Sequence, residues 1–277
     1  MSSLKKYVNL WLCLSAILAY EFAAINFFPS LSILHTLQIY FGGLPTLKLT
    51  TQAGKRISLW LGWTGFGLMF LTNAYVVRKR LGFLQNLGNL PRWLDFHIFC
   101  GLMGPTLILL HTNFKIGGLV ALSFWSMVIS FTSGVVGRYL YMQMSTSKRE
   151  LEQLAESSKN RLIQVVNPEL VEKLRAQALR VAGVRGDAQE ISILQSVINS
   201  MTGDIRLRLK FMTLAAEIPM GSRESLRTHI IATRRSLYLK QFQALMGYWH
   251  SFHMPFAVLM YLIAVVHITT ALLMKAF

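Results

Sequence analysis

Two pairs of histidines share one spacing within apolar segments of the sequence. His97 and His111 are fourteen residues apart, and so are His253 and His267. In an α-helix this spacing corresponds to just under four turns and roughly 21 Å, so both imidazoles of a pair face the same side. Because the apolar core of a bilayer is about 30 Å thick, such a helix would hold one imidazole near each edge. Ionisable groups inside a membrane are rare and usually functional, so the pattern predicts two metal centres, each held between two helices.

The elements that must position these histidines are predicted to be transmembrane helices. Of the 277 residues, 53% are apolar and only 14% are charged, which is unlike a soluble globular protein. Five apolar blocks are long enough to cross a bilayer, namely Tyr7–Phe28, Ile57–Val77, Trp93–Thr112, Ile116–Met142 and Leu245–Leu273. We therefore predict an all-α integral membrane bundle with five transmembrane helices, the first of them retained rather than cleaved as a signal peptide.

The positive charge of the chain is explained by membrane topology. The formal net charge is +16, which by itself would suggest a nucleic-acid partner. If the N-terminus is inside, however, 23 of the lysines and arginines lie on the inner side and 5 on the outer side. This asymmetry is the one that the positive-inside rule requires. We therefore expect a multi-pass protein of the inner (cytoplasmic) membrane, with its N-terminus inside, its C-terminus outside and no nucleic-acid partner.

A charged segment separates the fourth and fifth apolar blocks. It holds sixteen Lys/Arg and ten Asp/Glu, and it begins with a capping box formed by Ser147 and Glu150. Asn167 followed by Pro168 predicts a second helix start. The segment has neither strand alternation nor a glycine-rich nucleotide-binding motif. The predicted division is into residues 1–142 with four transmembrane helices, residues 143–243 as a helical cytoplasmic insertion, and residues 244–277 with the fifth transmembrane helix.

This topology predicts specific partners for the four histidines. The third and fifth transmembrane helices both run from inside to outside, so they are parallel. His97 is then level with His253 near the inner edge, and His111 is level with His267 near the outer edge. Two neutral imidazoles on opposite sides of a porphyrin iron form a b-type centre suited to electron transfer. The pattern therefore predicts two non-covalent b-type haems with these four histidines as metal ligands. Zinc is the weaker alternative, because no third or fourth ligand is evident near either pair.

Glycines near the histidines favour the haem interpretation, but they leave an alternative open. Gly101 and Gly104 follow His97 by one and two turns, and Gly134 and Gly137 lie in the fourth helix. A missing side chain lets a flat macrocycle approach the backbone. Close packing of membrane helices also uses glycine, and we weigh the two explanations equally.

Three further residues complete the predicted site. His250 is seventeen residues from His267, which places it about 100° away from the shared face, so we expect His253 to be the ligand. Arg92 and Arg138 lie near the predicted inner edge, where they could bind haem carboxylates. Solvated cations of the inside-positive loops are the alternative explanation for these arginines.

The paired spacing resembles the di-haem ferric-reductase-like transmembrane domain, a family that includes NADPH-oxidase cores and haem-binding reductase partners of bacteria. The matching residues are His97-x13-His111 and His253-x13-His267, within the region from Ile57 to Leu273 but outside the insertion. The resemblance implies that these histidines are axial ligands of two haems that carry electrons across the membrane. Reductase members also carry a C-terminal flavin and nicotinamide module, which this sequence lacks. We therefore expect an electron-transfer subunit of an oxidoreductase, as in other di-haem cytochrome b membrane subunits.

The expected partners are membrane lipid, a flavin or iron–sulfur redox protein on the cytoplasmic side, and a quinone or periplasmic cytochrome as acceptor. Whether the chain is itself an enzyme is left open by the sequence. A second hypothesis, from another class, is a haem-free membrane scaffold or transporter whose histidines bind metal ions or relay protons. Acidic partners inside the membrane would favour it, and only Glu21 and Asp95 lie in the apolar part of the chain.

Overall fold

The computed structural model describes residues 2–40, 49–52, 54–84, 86–184 and 193–274, and within these it contains helices and no strands. The helices are α1 (Ser2–Phe27), α2 (Ile33–Tyr40), α3 (Arg56–Leu71), α4 (Asn73–Arg80), α5 (Leu90–His111), α6 (Gly118–Met144), α7 (Lys148–Ile163), α8 (Pro168–Val181), α9 (Ile193–Leu214) and α10 (Arg223–Leu273), with short 3-10 turns at Pro29–Leu31, Gly82–Leu84 and Met220–Ser222. The predicted all-α class is thus confirmed.

Among the described residues, four helices are long and apolar enough to cross a membrane. They are Leu4–Phe27, Leu90–His111, Gly118–Met144 and Met220–Leu273. The fifth predicted span, Ile57–Val77, is divided at Thr72 into α3 and α4, which leaves α3 with 16 residues. The structure therefore supports a membrane protein with several apolar helices, and α3 alone is shorter than an ordinary span.

The division at Thr72 has a local cause. The Thr72 hydroxyl donates to the carbonyl of Met69 at 2.6 Å, and the Thr72 amide bonds the carbonyls of Met69 and Phe70 instead of continuing the regular pattern. Threonine side chains compete in this way with the helical backbone. The turn consequently tightens, and carbonyl oxygens at the break become available to other helices.

The chain folds as two compact units. The first comprises Met1–Gly134 with His253–Phe277, and the second comprises Val135–Phe252, so the predicted insertion at residues 143–243 falls within the second unit. Residues of α6 and of α10 belong to both units.

In the first unit, α5 packs against α3 and α1. Gly65 and Gly104 mark the contact with α3, because a Cβ on Gly104 would lie 3.1 Å from the Gly65 carbonyl oxygen and 2.6 Å from Cγ of Met69. Small residues of this kind let membrane helices approach closely. On the side of α1, the indole of Trp11 donates to the Thr106 hydroxyl at 3.1 Å. A buried apolar cluster of Met69, Phe124, Met127 and Met260 joins α3, α6 and α10.

The second unit has its own helical core. Both predicted helix starts are confirmed: Ser147 and Glu150 form the reciprocal capping box, and the Asn167 side chain accepts from the amide of Glu169 at 2.9 Å. The apolar faces of α7, α8, α9 and α10 meet in a buried cluster that includes Leu162, Leu174, Leu207, Leu226 and Ile230. An ion pair of 2.6 Å between Arg234 and Asp204 fixes α10 against α9, with the Arg234 side chain only 3% exposed.

Candidate functional site

His97 is held by the carbonyl that the break at Thr72 makes available. Its Nδ1 lies 2.9 Å from the Thr72 carbonyl oxygen. A carbonyl oxygen can only accept a hydrogen bond, so Nδ1 of His97 carries the proton and Nε2 carries the lone pair. Histidines that bind metals are usually fixed in this manner, with the second ring nitrogen donating to a carbonyl or carboxylate. The ring also packs against that of Tyr75, with 5.6 Å between centroids.

His111 is held in the same tautomer at the opposite end of α3. Its Nδ1 lies 2.7 Å from the Ser58 carbonyl oxygen and 3.1 Å from the Ser58 hydroxyl. That hydroxyl donates its proton to the His111 carbonyl at 3.0 Å, so towards the ring it can only accept. Gly62 makes room for the ring, since a Cβ there would lie 2.8 Å from Nδ1 of His111. Nε2 is again the nitrogen that carries the lone pair.

The same fourteen-residue spacing on α3 and α5 explains the hydrogen bonds of both His97 and His111. Ser58 and Thr72 are fourteen residues apart on α3 and its C-terminal boundary, as His97 and His111 are on α5. The start of α3 meets the end of α5, and the end of α3 meets the start of α5, so these helices are antiparallel. Equal spacing on antiparallel helices lets two acceptors meet two imidazoles at the same two levels.

His253 is anchored on α6 by a hydroxyl group. Its Nδ1 lies 2.7 Å from the Ser133 Oγ, and the Ser133 hydroxyl donates to the Ser130 carbonyl at 3.0 Å. Because a hydroxyl has one proton, Ser133 accepts from Nδ1 of His253, which places the imidazole lone pair on Nε2. Gly134 adjoins this ring, with 4.0 Å between its ideal Cβ position and Cε1 of His253. His250, the alternative ligand, is exposed and lies edge-on to Trp249.

His267 lies on α10, six residues after Tyr261. The two imidazoles are near enough to interact electrostatically. For the part of the chain that is described, no hydrogen bond of the His267 ring is found, whereas its carbonyl accepts from Thr270. The fourth histidine therefore lacks the protein anchor that fixes the orientation of the other three.

The direction of α10 follows from two levels of contact. The Tyr261 hydroxyl donates to the Met69 carbonyl at 2.5 Å and lies 3.3 Å from the Thr72 hydroxyl, which places it at the end of α3. His267, six residues later, interacts with His111 at the other end of α3. A direction of α10 antiparallel to α3 and parallel to α5 accommodates both contacts.

The parallel direction of α5 and α10 extends the pairing. His97 precedes His111 by the same fourteen residues that separate His253 from His267. Equal rises along two parallel helices predict that His97 and His253 lie at one level if His111 and His267 do. On α6, Ser133 lies at the level of His253, which it contacts.

The glycines divide between the two explanations that the sequence left open. An added Cβ at Gly101 would meet no atom within 4 Å, so the backbone there faces open space one turn from His97. Gly104 instead packs against Met69, and Gly137 packs against the Trp249 indole, whose nearest carbon would be 2.2 Å from a Cβ. Gly101 and Gly134 thus have open surroundings, whereas the other two glycines serve helix packing.

The two predicted arginines have described contacts with other groups. Arg92 is exposed and lines a cavity with residues of α1, and it is about 140° around α5 from His97. Arg138 belongs to the second unit, where its guanidinium lies 5.6 Å from the centroid of the Tyr141 ring.

The donor set fits a porphyrin iron better than a bare metal ion. Among the described residues, no three histidine, cysteine or acidic side chains are grouped as a zinc site with three or four protein ligands would require. A haem iron takes four ligands from its macrocycle and only two from the protein. Three imidazoles with a protonated, anchored Nδ1 provide the neutral Nε2 atoms that such axial positions need.

Sequence reasoning found the four histidines but not the residues that orient them. Ser58, Thr72, Ser133 and Gly62 were all missed. The fourteen-residue spacing of Ser58 and Thr72 was a usable pattern, because it equals the histidine spacing. Gly62 and Ser133 carried no comparable pattern, since their role depends on which helix lies opposite.

Comparison of the chain with protein-family models, with curated proteins and with solved structures found no match. The resemblance to the ferric-reductase-like membrane domain therefore stays a prediction from the histidine spacing.

Proposed function

We propose that this protein is a transmembrane di-haem b-type cytochrome that acts as an electron-transfer subunit. The observation that carries the proposal is the shared tautomer of His97, His111 and His253, each of which has Nδ1 bonded to an acceptor on a neighbouring helix. This arrangement directs three Nε2 lone pairs away from their anchors, on helices that run parallel. His97 with His253 would hold the inner haem, and His111 with His267 the outer one.

The protein groups have two tasks at each centre. The acceptors Ser58, Thr72 and Ser133 fix the ring orientation and keep Nδ1 protonated, which makes Nε2 the more basic, neutral ligand. The open backbone at Gly101 leaves space beside the inner pair. A haem with two imidazole ligands supplies reversible one-electron transfer at a saturated iron. With two imidazoles holding the iron, such a centre would be suited to passing electrons rather than to binding a substrate.

The membrane arrangement that we propose has five transmembrane helices with the N-terminus inside. The antiparallel packing of α3 against α5 supports counting the segment from α3 to α4 as a fifth crossing. With 51 residues, α10 has more than twice the number of residues that cross a bilayer core. This excess supports assigning its first part to a helical insertion outside the membrane.

Electrons would cross the membrane by passing between the inner and the outer haem. A flavin or iron–sulfur protein would exchange electrons on the cytoplasmic side, where the second unit offers a charged helical surface. A quinone or a periplasmic redox protein would exchange them on the outer side. The direction of flow depends on the potentials of those partners rather than on the histidines.

Haem content of the purified protein tests the proposal. We expect about two b-type haems per chain for the wild type and about one for His111→Ala or His267→Ala, because each centre needs both imidazoles. His250 is exposed and His35 is half-buried. His250→Ala and His35→Ala are therefore the control variants, and we expect both of them to keep two haems. A colourless wild-type protein from haem-replete cells would refute the proposal. Equal loss in His250→Ala and His253→Ala would refute the assignment of the inner ligand.

A further inference from the structure

One end of the first unit gathers exposed cations. The start of α1, the end of α4 and the start of α5 meet there: the Tyr7 ring lies 5.6 Å from that of Phe99, and the Arg78 guanidinium donates to the carbonyls of Leu87 and Gly88. The exposed basic residues at this end are Lys5, Lys6, Lys79, Arg80 and Arg92. Together these five residues form the basic end of the first unit.

Within the first unit, no exposed carboxylate accompanies the basic end. Glu21 and Asp95 are the acidic residues in the sequence of the first unit. Glu21 lies towards the other end of α1, where its carboxylate accepts from the amides of Ile33 and Leu34 at 2.9 and 3.0 Å. Asp95 is buried, with 6% of its surface exposed. Within the first unit, the positive charge of these cations is therefore not balanced by an exposed carboxylate.

A cavity of about 350 Å³ lies within the basic end, between α1 and α5. It is lined by Lys6, Tyr7, Leu10 and Arg92, and it opens to the surface. Neither Lys6 nor Arg92 forms an ion pair with any described residue. The cavity thus combines two cations from different helices with an aromatic and an aliphatic side chain.

The order of these side chains along α1 separates the polar part of the cavity from its apolar part. Lys6 and Leu10 are four residues apart and share one face of the helix. From Lys6, this face continues into the apolar body of α1, most of which is exposed on the outside of the unit. A ligand that fits would carry a negative charge at the level of Lys6 and Arg92 and an apolar chain along Leu10.

We propose that this cavity binds the phosphate of an anionic glycerophospholipid, with one acyl chain against Leu10. Two cations bind one phosphate better than either would alone, and a basic site beside a membrane helix attracts acidic lipid head groups. The proposal rests on the membrane embedding of the proposed function but not on haem. The site therefore remains testable in a chain that carries no haem.

The experiment measures lipid retention by native mass spectrometry of the full chain released from nanodiscs of phosphatidylcholine with a minor fraction of phosphatidylglycerol. We expect the wild type to retain phosphatidylglycerol selectively. The double variant Lys6→Gln/Arg92→Gln should bind it about thirtyfold more weakly, because it loses two direct charge-assisted contacts with the phosphate. Retention is read from the protein mass, so haem content does not affect the result.

The matched control is Lys79→Gln/Arg80→Gln, which removes the same charge from the basic end outside the cavity. We expect its affinity to stay within about threefold of the wild type, because diffuse attraction at the surface is screened by salt. Equal losses in both double variants would overturn the site in favour of a general surface potential. Displacement of the lipid by inorganic phosphate would overturn it as well, because a free anion would then be the ligand. Thermal unfolding of both variants checks that each one folds.

Discussion

Replacement of Gly62 by alanine should disturb His111 without removing any functional group. The added Cβ would lie 2.8 Å from Nδ1 and 2.9 Å from Cε1 of the ring, whereas an ordinary contact begins at 3.4 Å. The ring must therefore retreat by about 0.6 Å or tilt. Its bond to the Ser58 carbonyl, now 2.7 Å, would lengthen towards about 3.3 Å, past the range of a good hydrogen bond.

The expected change in stability combines three contributions. Glycine to alanine within a helix gains about 1 kcal/mol of intrinsic preference. Against it stand about 1 kcal/mol for the weakened hydrogen bond and about 1–3 kcal/mol for overpacking. We expect Gly62→Ala to lower the free energy of unfolding by about 1–3 kcal/mol. Gly67 on the same helix is the matched control, because its Cβ would meet no atom within 4 Å, so Gly67→Ala should be neutral or stabilising.

Unfolding in mixed micelles titrated with a denaturing detergent measures this difference directly. Haem content provides a second, independent measurement, in which the outer centre of Gly62→Ala should be depleted while Gly67→Ala keeps both centres. If Gly62→Ala were as stable as Gly67→Ala, the close approach of Gly62 to His111 would be wrong. If stability fell but both haems remained, the assignment of His111 as a ligand would be wrong.

Three further predictions concern other parts of the chain. Gly104→Ala should destabilise the protein by about 1–3 kcal/mol in the same detergent titration, because its Cβ would meet a packed side chain. Gly101→Ala should leave the stability of the apo-protein unchanged and lower the haem content. Asp204→Asn should cost about 2–3 kcal/mol, measured by chemical unfolding, since it leaves a guanidinium on α10 buried without its counter-charge. The hydrogen bond from Lys159 holds the pKa of Glu172 below its usual 4.5. The stability that Glu172 contributes should therefore be present above pH 4.5 and be lost as the pH falls through the lowered native pKa. The difference in free energy of unfolding between the wild type and Glu172→Gln should be less than about 1 kcal/mol across that range.

Controls for these predictions come from the same chain. Lys148 and Glu152 form an exposed pair with side chains 61% and 56% accessible, so Glu152→Gln should change stability by less than about 1 kcal/mol. An equal loss in Glu152→Gln and Asp204→Asn would contradict the role of burial. A stability difference between the wild type and Glu172→Gln that did not shrink at acid pH would contradict the ionic origin of that contribution.

The features that the sequence predicted correctly depend on local chemistry. The all-α class and the apolar segments follow from composition and period, which can be counted along the chain. The starts of α7 and α8 at Ser147 and Asn167 were predicted because a helix cap involves residues within one turn. The fourteen-residue histidine spacing is likewise visible without any neighbouring helix.

What lay opposite each residue could not be predicted from the sequence. Gly101 and Gly104 lie close to one face of α5, yet one meets open space and the other meets α3. The position of Arg92 beside α1, where it lines a cavity with Lys6, was likewise not predicted. These differences arise because a helical projection fixes directions around one axis and does not fix which neighbour occupies each direction.

By itself, the sequence determined that four imidazoles repeat at a spacing suited to a membrane helix. Only the tertiary structure decided which ring nitrogen carries the proton. A helix ends at Thr72, and Ser58 and Ser133 lie opposite the rings of His111 and His253. The physical reason is that a tautomer is fixed by the acceptor that the other ring nitrogen meets. That acceptor belongs to another helix, dozens of residues away along the chain, and only folding brings it to the ring.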